Sequence, residues 1–132
     1  MARILVAEDE KQIADMIAFK LTNSGHEVIR AQDGEQAMKL AKRDMPDLIM
    51  LDAMMPGIGG FEVLRRLKAD SALRSVPVIM VTAKGHERDV LSGLRGGAVD
   101  YVVKPFSLKE LAARVELALG KEPPPHNALI LS

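Results

Sequence analysis

Cysteine and tryptophan are absent, and the aromatics amount to one tyrosine and three phenylalanines. Without thiols there is no disulfide scaffold, Cys-ligated zinc, iron–sulfur site or thiol nucleophile, and the chain suits a reducing cytosol. Neither sign of charge predominates: 18 Lys plus Arg against 18 Asp plus Glu leave a formal charge of zero. A nucleic-acid surface needs clustered positive charge, so none is expected within these residues. Long apolar runs are missing as well. The opening Met1–Ala7 stretch meets acid at Glu8 and Asp9, too early for a signal-peptide core or a membrane span. A cytoplasmic protein without membrane contact is therefore expected. What remains is ordinary for one globular domain: 132 residues, 48% hydrophobic and 27% charged. Such a length buries enough surface to fold without staples.

Short apolar runs recur at a spacing that suits alternating strands and helices: Ile4–Ala7, Val28–Ile29, Leu48–Leu51, Val78–Val81 and Tyr101–Val103. The first, third and fourth lack alternation, as strands buried on both faces do. The second is short and polar-flanked, which suits an edge. Helical stripes fill the gaps: Ile13, Met16, Ile17 and Leu21; Ala37, Leu40 and Ala41; Phe61, Leu64 and Leu67; Val90, Leu91 and Leu94; and Leu108, Leu111, Ala112, Val115 and Leu119. Ser107 and Glu110 have the spacing of a capping box for the last helix. Five βα repeats with right-handed crossovers predict an α/β three-layer sandwich over residues 1–120. Its parallel five-stranded sheet would take the flavodoxin-like order 2-1-3-4-5. Residues 121–132, with Pro123-Pro124-Pro125, read as a stiff linker or tail. That segment either leads to a removed effector domain or is the native end.

Ligands of such sheets bind at the carboxyl ends of the strands. The residues there are Glu8 and Asp9 after the first strand, Asp52 at the third, Thr82 at the fourth and Lys104 at the fifth. Three converging carboxylates repel one another unless a proton or a cation intervenes. Hard oxygen ligands suit Mg²⁺, which keeps several waters. Lys104 and Thr82 can pair with phosphoryl oxygens, and Asp52 can act as a carboxylate nucleophile towards phosphorus. Taken singly, each residue has a plainer role. Asp9 also suits a cap for the first helix and Thr82 a cap for the fourth. Asp52 also suits turn chemistry, and Lys104 a solvated charge. Other phosphate-binding classes fit poorly. No Gly-x-x-x-x-Gly-Lys-Ser/Thr run exists, and Gly57-Ile58-Gly59-Gly60 fails the dinucleotide pattern because position 62 is Glu. Glu8-Asp9 would repel a flavin phosphate.

Four segments carry a resemblance: Val6-Ala7-Glu8-Asp9-Glu10, Leu51-Asp52-Ala53-Met54-Met55-Pro56-Gly57, Val81-Thr82-Ala83 and Asp100-Tyr101-Val102-Val103-Lys104-Pro105-Phe106. The chain resembles a receiver domain of a bacterial two-component response regulator over about residues 2–119. The resemblance implies a phosphorylation-activated signalling switch, not an enzyme acting on external substrate. Asp52 would accept a phosphoryl group from a sensor histidine kinase. Glu8, Asp9, Asp52 and the backbone carbonyl of Met54 would hold Mg²⁺. The Lys104–Pro105 bond would be cis. Thr82 would move inward on phosphorylation, with Tyr101 turning in behind it. The surface of the fourth helix, fifth strand and fifth helix would then control a partner or an output domain, with transcription the leading output. The alternative is a degenerate receiver that binds proteins without phosphorylation.

Some positions depart from the family pattern. Glu8 stands where many receivers carry Asp. Met54 and Lys84 flank the path of a hydrolytic water and are candidates for tuning the phosphate lifetime. The fifth helix is similar to those of receivers that dimerise through salt bridges on the fourth-helix face. Asp100 and Arg114 match one such pair, and Arg95 and Glu116 match another with exchanged signs. A third is broken, because Val90 stands where a basic partner for Glu110 would be expected, and Val99 replaces a common acid. A homodimer through that face is one expectation; the apolar exchanges equally suit a different partner, and Arg95 and Glu116 also suit solvated charges.

Overall fold

A strand buried on both faces must pair its whole backbone with neighbouring strands and be covered by helices above and below. The computed structural model describes residues 1–83 and 87–120 and meets both demands. The elements alternate as β1 (Arg3–Ala7), α1 (Lys11–Asn23), β2 (Glu27–Ala31), α2 (Gly34–Asp44), β3 (Leu48–Asp52), α3 (Gly60–Ala69), β4 (Val78–Ala83), α4 (Glu87–Arg95), β5 (Asp100–Lys104) and α5 (Leu108–Ala118). The strands form one parallel sheet in the order β2-β1-β3-β4-β5. This is the flavodoxin-like (βα)5 sandwich that the repeat pattern implied. The tail 121–132 and Lys84 lie outside the described residues.

The period of two along each strand splits the core into two clusters. Leu5, Ile49, Leu51 and Met80 face α2 and α3, where Leu40, Val63, Leu64 and Leu67 close the layer. Ile4, Val6, Met50 and Val81 face α1 and α5, where Ile17, Leu21, Leu111 and Val115 close the other. Every residue of β3 is buried. The uninterrupted apolar run of that segment follows from its place between two helical layers.

Two helical stripes differ from the sequence expectation. In α1 the buried positions are Ala14, Ile17 and Leu21, while Met16 is 49% exposed. In α4, Leu91 and Leu94 face outward at 55% and 43% exposure. The reason is Gly93. A Cβ there would lie 3.1 Å from Met80 Cγ and 3.5 Å from Phe61 Cε1. The helix approaches the sheet along its glycine side, and the leucines turn away.

The helix ends are set by local chemistry. Gly25, at φ 92°, ends α1. Asp33 Oδ1 accepts the Gln36 N–H at 2.8 Å, opening α2. Ser107 Oγ accepts the Glu110 N–H at 3.0 Å, opening α5. Only this forward half of the capping box forms among the described residues. The Glu110 carboxylate lies 4.0 Å from Arg114 Nε instead. Among the described residues no helix is long and apolar enough to cross a membrane.

Candidate functional site

Parallel strands bring their carboxyl ends to one rim, and the crossover order leaves a crevice beside β1 and β3. Glu8 and Asp9 follow β1, Asp52 ends β3, Thr82 lies near the end of β4 and Lys104 ends β5. Glu8, Asp52 and Thr82 are 3%, 4% and 2% exposed, so their polar atoms are largely cut off from bulk water. Asp9 is exposed. Glu10, not Asp9, occupies the N-cap position of α1, and its side chain makes no capping bond. Thr82 lies inside β4, and its hydroxyl makes no capping bond among the described residues.

One ammonium ties the rim together. Lys104 Nζ lies 3.0 Å from Glu8 Oε1 and 3.1 Å from Asp52 Oδ2. Glu10 Oε1 stands 3.5 Å away. The other Asp52 oxygen, Oδ1, accepts the Met54 N–H at 3.0 Å. Glu8 Oε2 accepts the Glu10 N–H at 3.1 Å. The Asp52 bond is the turn chemistry that its sequence context suggested, and it coexists with the ion pair. Lys104 is not a solvated charge here. The peptide bond that follows it, to Pro105, is cis, as the resemblance implied.

Burial pushes the Glu8 carboxyl up to about 7. A hydrogen bond shared with Asp52 adds to this rise, and Lys104 opposes it. For Lys104, burial works against the charged form, but the hydrogen bonds it donates to Glu8 and Asp52 outweigh it and hold the ammonium above its ordinary range. The rim thus holds more negative charge than one lysine balances. One carboxylate oxygen each from Glu8, Asp9 and Asp52 lie within 4.8 Å of one another, a set that could hold a metal ion. Three hard oxygen donors on one open rim fit a small divalent cation that retains water.

Thr82 Oγ1 is buried without a hydrogen-bond partner among the described residues. Such an orphaned hydroxyl costs roughly 1–3 kcal/mol. Asp52 pairs in register with Val81, so Thr82 is one residue further along the adjacent strand.

The remaining predicted residues lie in separate groups. Tyr101 is half-buried on β5, with Arg114 Cζ 5.8 Å from its ring centroid. Arg114 Nη1 also reaches Asp100 Oδ1 at 2.8 Å and Oδ2 at 3.0 Å. Asp100 and Arg114 therefore pair within the chain. Glu116 Oε1 is 2.8 Å from His26 Nε2, while Arg95 and Val99 are exposed and Val90 half-buried. The Met54 side chain is 65% exposed beside the site.

Sequence reasoning assigned no role to Glu10, although it sits in the acidic run Glu8-Asp9-Glu10. It also missed His26, whose side chain is fully buried. Nδ1 of that ring accepts the Ala2 N–H at 3.1 Å. Nothing local marks such a partner, because Glu116 is 90 residues away.

Comparison with known proteins gives this rim its context. A family model for the response regulator receiver domain matches residues 4–116. The phosphate regulon transcriptional regulatory protein PhoB of Escherichia coli is 43% identical over 122 residues, covering 92% of this chain and 53% of that protein. The alkaline phosphatase synthesis transcriptional regulatory protein PhoP of Bacillus subtilis is 44% identical over 119 residues, covering 90% of this chain and 49% of that protein. The chain thus spans about half the length of these curated relatives. Among solved structures, the receiver domain of Francisella response regulator 1452 superposes with a TM-score of 0.84 at 34% identity, covering 91% of this chain and 98% of that one. The chemotaxis response regulator CheY4 of Vibrio cholerae superposes with a TM-score of 0.84 at 30% identity, covering 89% and 98%.

Proposed function

This chain belongs to the response regulator receiver family, and from that premise we propose that it is a phosphorylation-operated switch whose acceptor is Asp52. The observation that carries the assignment is the rim itself. A buried aspartate shares a lysine with a buried glutamate, and a third carboxylate stands close enough to complete a metal site.

In the proposed reaction a sensor histidine kinase presents its phosphohistidine. One Asp52 carboxylate oxygen attacks phosphorus in line, the P–O bond forms, and the P–N bond breaks. The electron pair of that bond stays on the departing imidazole nitrogen, which takes up a proton from solvent. Lys104 already hydrogen-bonds an Asp52 oxygen, and a short shift lets it pair with phosphoryl oxygens. Thr82 gains a partner for the hydroxyl that has none among the described residues. Glu8, Asp9, Asp52 and the Met54 carbonyl would hold Mg²⁺, which supplies charge neutralisation when bound. Positioning and electrostatics thus carry both phosphorylation and hydrolysis, so the domain promotes its own modification and its reversal. Met54, and Lys84 beyond the described residues, tune the phosphate lifetime.

The readout follows from the new charge. Moving Thr82 leaves space for Tyr101 to turn inward, away from its contact with Arg114. The face of α4, β5 and α5 then changes its affinity for a partner, either a second copy or an output domain. Transcriptional output is supported by the two curated relatives PhoB and PhoP, which are named as transcriptional regulatory proteins. A cytoplasmic location fits a histidine-kinase partner.

The test is intact mass after incubation with acetyl phosphate, with and without Mg²⁺, beside Asp52→Ala. One added phosphoryl group that requires both Mg²⁺ and Asp52 is expected. An unmodified mass under rapid quench, with normal Mg²⁺ affinity, would point to a phosphate lost too fast to trap. An unmodified mass with no Mg²⁺ binding would leave only the binding-module reading.

A further inference from the structure

Residues 53–59 connect β3 to α3 and include Met54. Two helix starts touch this loop backbone to backbone. A Cβ on Gly60, the first residue of α3, would overlap the Asp52 carbonyl oxygen and come within 2.9 Å of Ala53 Cα. The Gly60 N–H also donates to the Ala53 carbonyl at 3.1 Å. At the far end, a Cβ on Gly34, the first residue of α2, would overlap the Ile58 carbonyl oxygen and lie 2.9 Å from Ile58 Cβ. Ile58 is partly buried and packs against the core cluster beneath α2 and α3. Its side chain therefore presses the loop inward while Gly34 bounds it. Gly59 provides the contrast: a Cβ there meets only the Ala53 carbonyl oxygen, at an ordinary 3.8 Å.

Backbone cannot rotate out of the way as a flexible side chain can, so an added methyl at Gly34 or Gly60 must displace the loop or the helix. The loop in turn holds the acceptor, because the Met54 N–H donates to Asp52 Oδ1 at 3.0 Å. We propose that Gly34 and Gly60 are positioning residues for the phosphoacceptor, whose missing side chains let the first turns of α2 and α3 clamp the 53–59 loop and so fix the Asp52 carboxylate and the Met54 peptide. Gly34 acts from a different βα unit, and the three atoms nearest its Cβ position all belong to Ile58. This inference rests on the phosphoacceptor reading for its functional meaning, but its geometry stands without it.

The experiment compares Gly34→Ala and Ile58→Ala with Gly59→Ala as the control. Gly34→Ala pushes the loop from outside. Ile58→Ala removes the inward packing without adding an atom, so its fold is not at risk from overlap. The first readout is amide hydrogen exchange at Met54 in the metal-free protein. The second is the Mg²⁺ concentration giving half-maximal initial phosphorylation by acetyl phosphate. Both test variants should speed Met54 exchange and raise the half-saturating Mg²⁺ about tenfold, in the range of outer-shell substitutions at metal sites. Gly59→Ala should behave as wild type in both. A purely structural glycine would lower the unfolding temperature and leave both readouts unmoved. Wild-type exchange at Met54 in Gly34→Ala and Ile58→Ala overturns the clamp. A wild-type protein that accepts no phosphoryl group overturns the phosphoacceptor reading instead, and the exchange comparison still decides the clamp.

Discussion

A lysine ammonium placed between two buried carboxylates must replace the water each would otherwise keep. Lys104 does this for Glu8 and Asp52, with contacts of 3.0 and 3.1 Å. Removing the cation leaves two acids facing each other, one already pushed up to about 7 by its burial. Lys104→Ala should therefore destabilise the metal-free protein by roughly 3 kcal/mol in urea unfolding at neutral pH. Adding Asp52→Asn should recover most of that loss, since the repulsion goes with the charge. Equal stabilities for the single and double variants would show that the lysine acts by packing alone. At Met54 the issue is kinetic. The residue is 65% exposed and its N–H donates to Asp52, so its side chain can be changed without disturbing the core. Met54→Asn should change the rate of phosphate loss, followed by intact mass, while the unfolding temperature stays put. An unaltered rate would remove Met54 from the lifetime machinery.

Helix α3 carries a charge cluster that allows a pH test away from the site. Glu62 accepts from Arg65 at 2.9 and 2.6 Å and from Arg66 at 2.9 Å. These hydrogen bonds, Arg65's first, lower its carboxyl from the ordinary 4.5 to about 2. A depressed carboxylate contributes stability above its unfolded pKa, and the contribution fades as pH falls through the folded one. The gap in urea midpoint between wild type and Glu62→Gln should thus be full at pH 7, narrow between about 4.5 and 2, and vanish below. The cluster is exposed, so solvent keeps the effect small. A gap that widens on acidification would contradict the assignment. At the level of elements, α1 and α4 also show how packing selects among candidate faces. In α4 the glycine side approaches the sheet, and Leu91 and Leu94 are left outside.

Those outward leucines matter for the molecule as a whole, because they sit on the face expected to meet a second copy or an output domain. Leu91→Asp should alter monomer stability by no more than about 0.5 kcal/mol, yet weaken association of the phosphorylated chain in analytical ultracentrifugation. Unimpaired association would move the interface elsewhere. The order of five βα units was written in the sequence, because uninterrupted apolar runs and helical stripes can coexist only in a parallel sheet covered on both sides. Glu8, Asp9, Asp52, Thr82 and Lys104 were legible for the same reason: strand ends in such a sheet converge on one rim. The sequence did not reveal which groups touch. That Lys104 bridges Glu8 and Asp52, that Asp100 pairs with Arg114 inside the chain, and that His26 meets Glu116 all depend on distances across the fold. Nor could periodicity reveal that Met16, Leu91 and Leu94 face solvent, since a stripe says which side is apolar and not how closely the neighbouring layer approaches. Local patterns determine elements and their order, because hydrogen bonding and side-chain period act over a few residues. Contacts, the lack of a partner for the Thr82 hydroxyl among the described residues, and the close approach of Gly34 to Ile58 were decided only by tertiary structure, because they depend on segments that the chain keeps far apart.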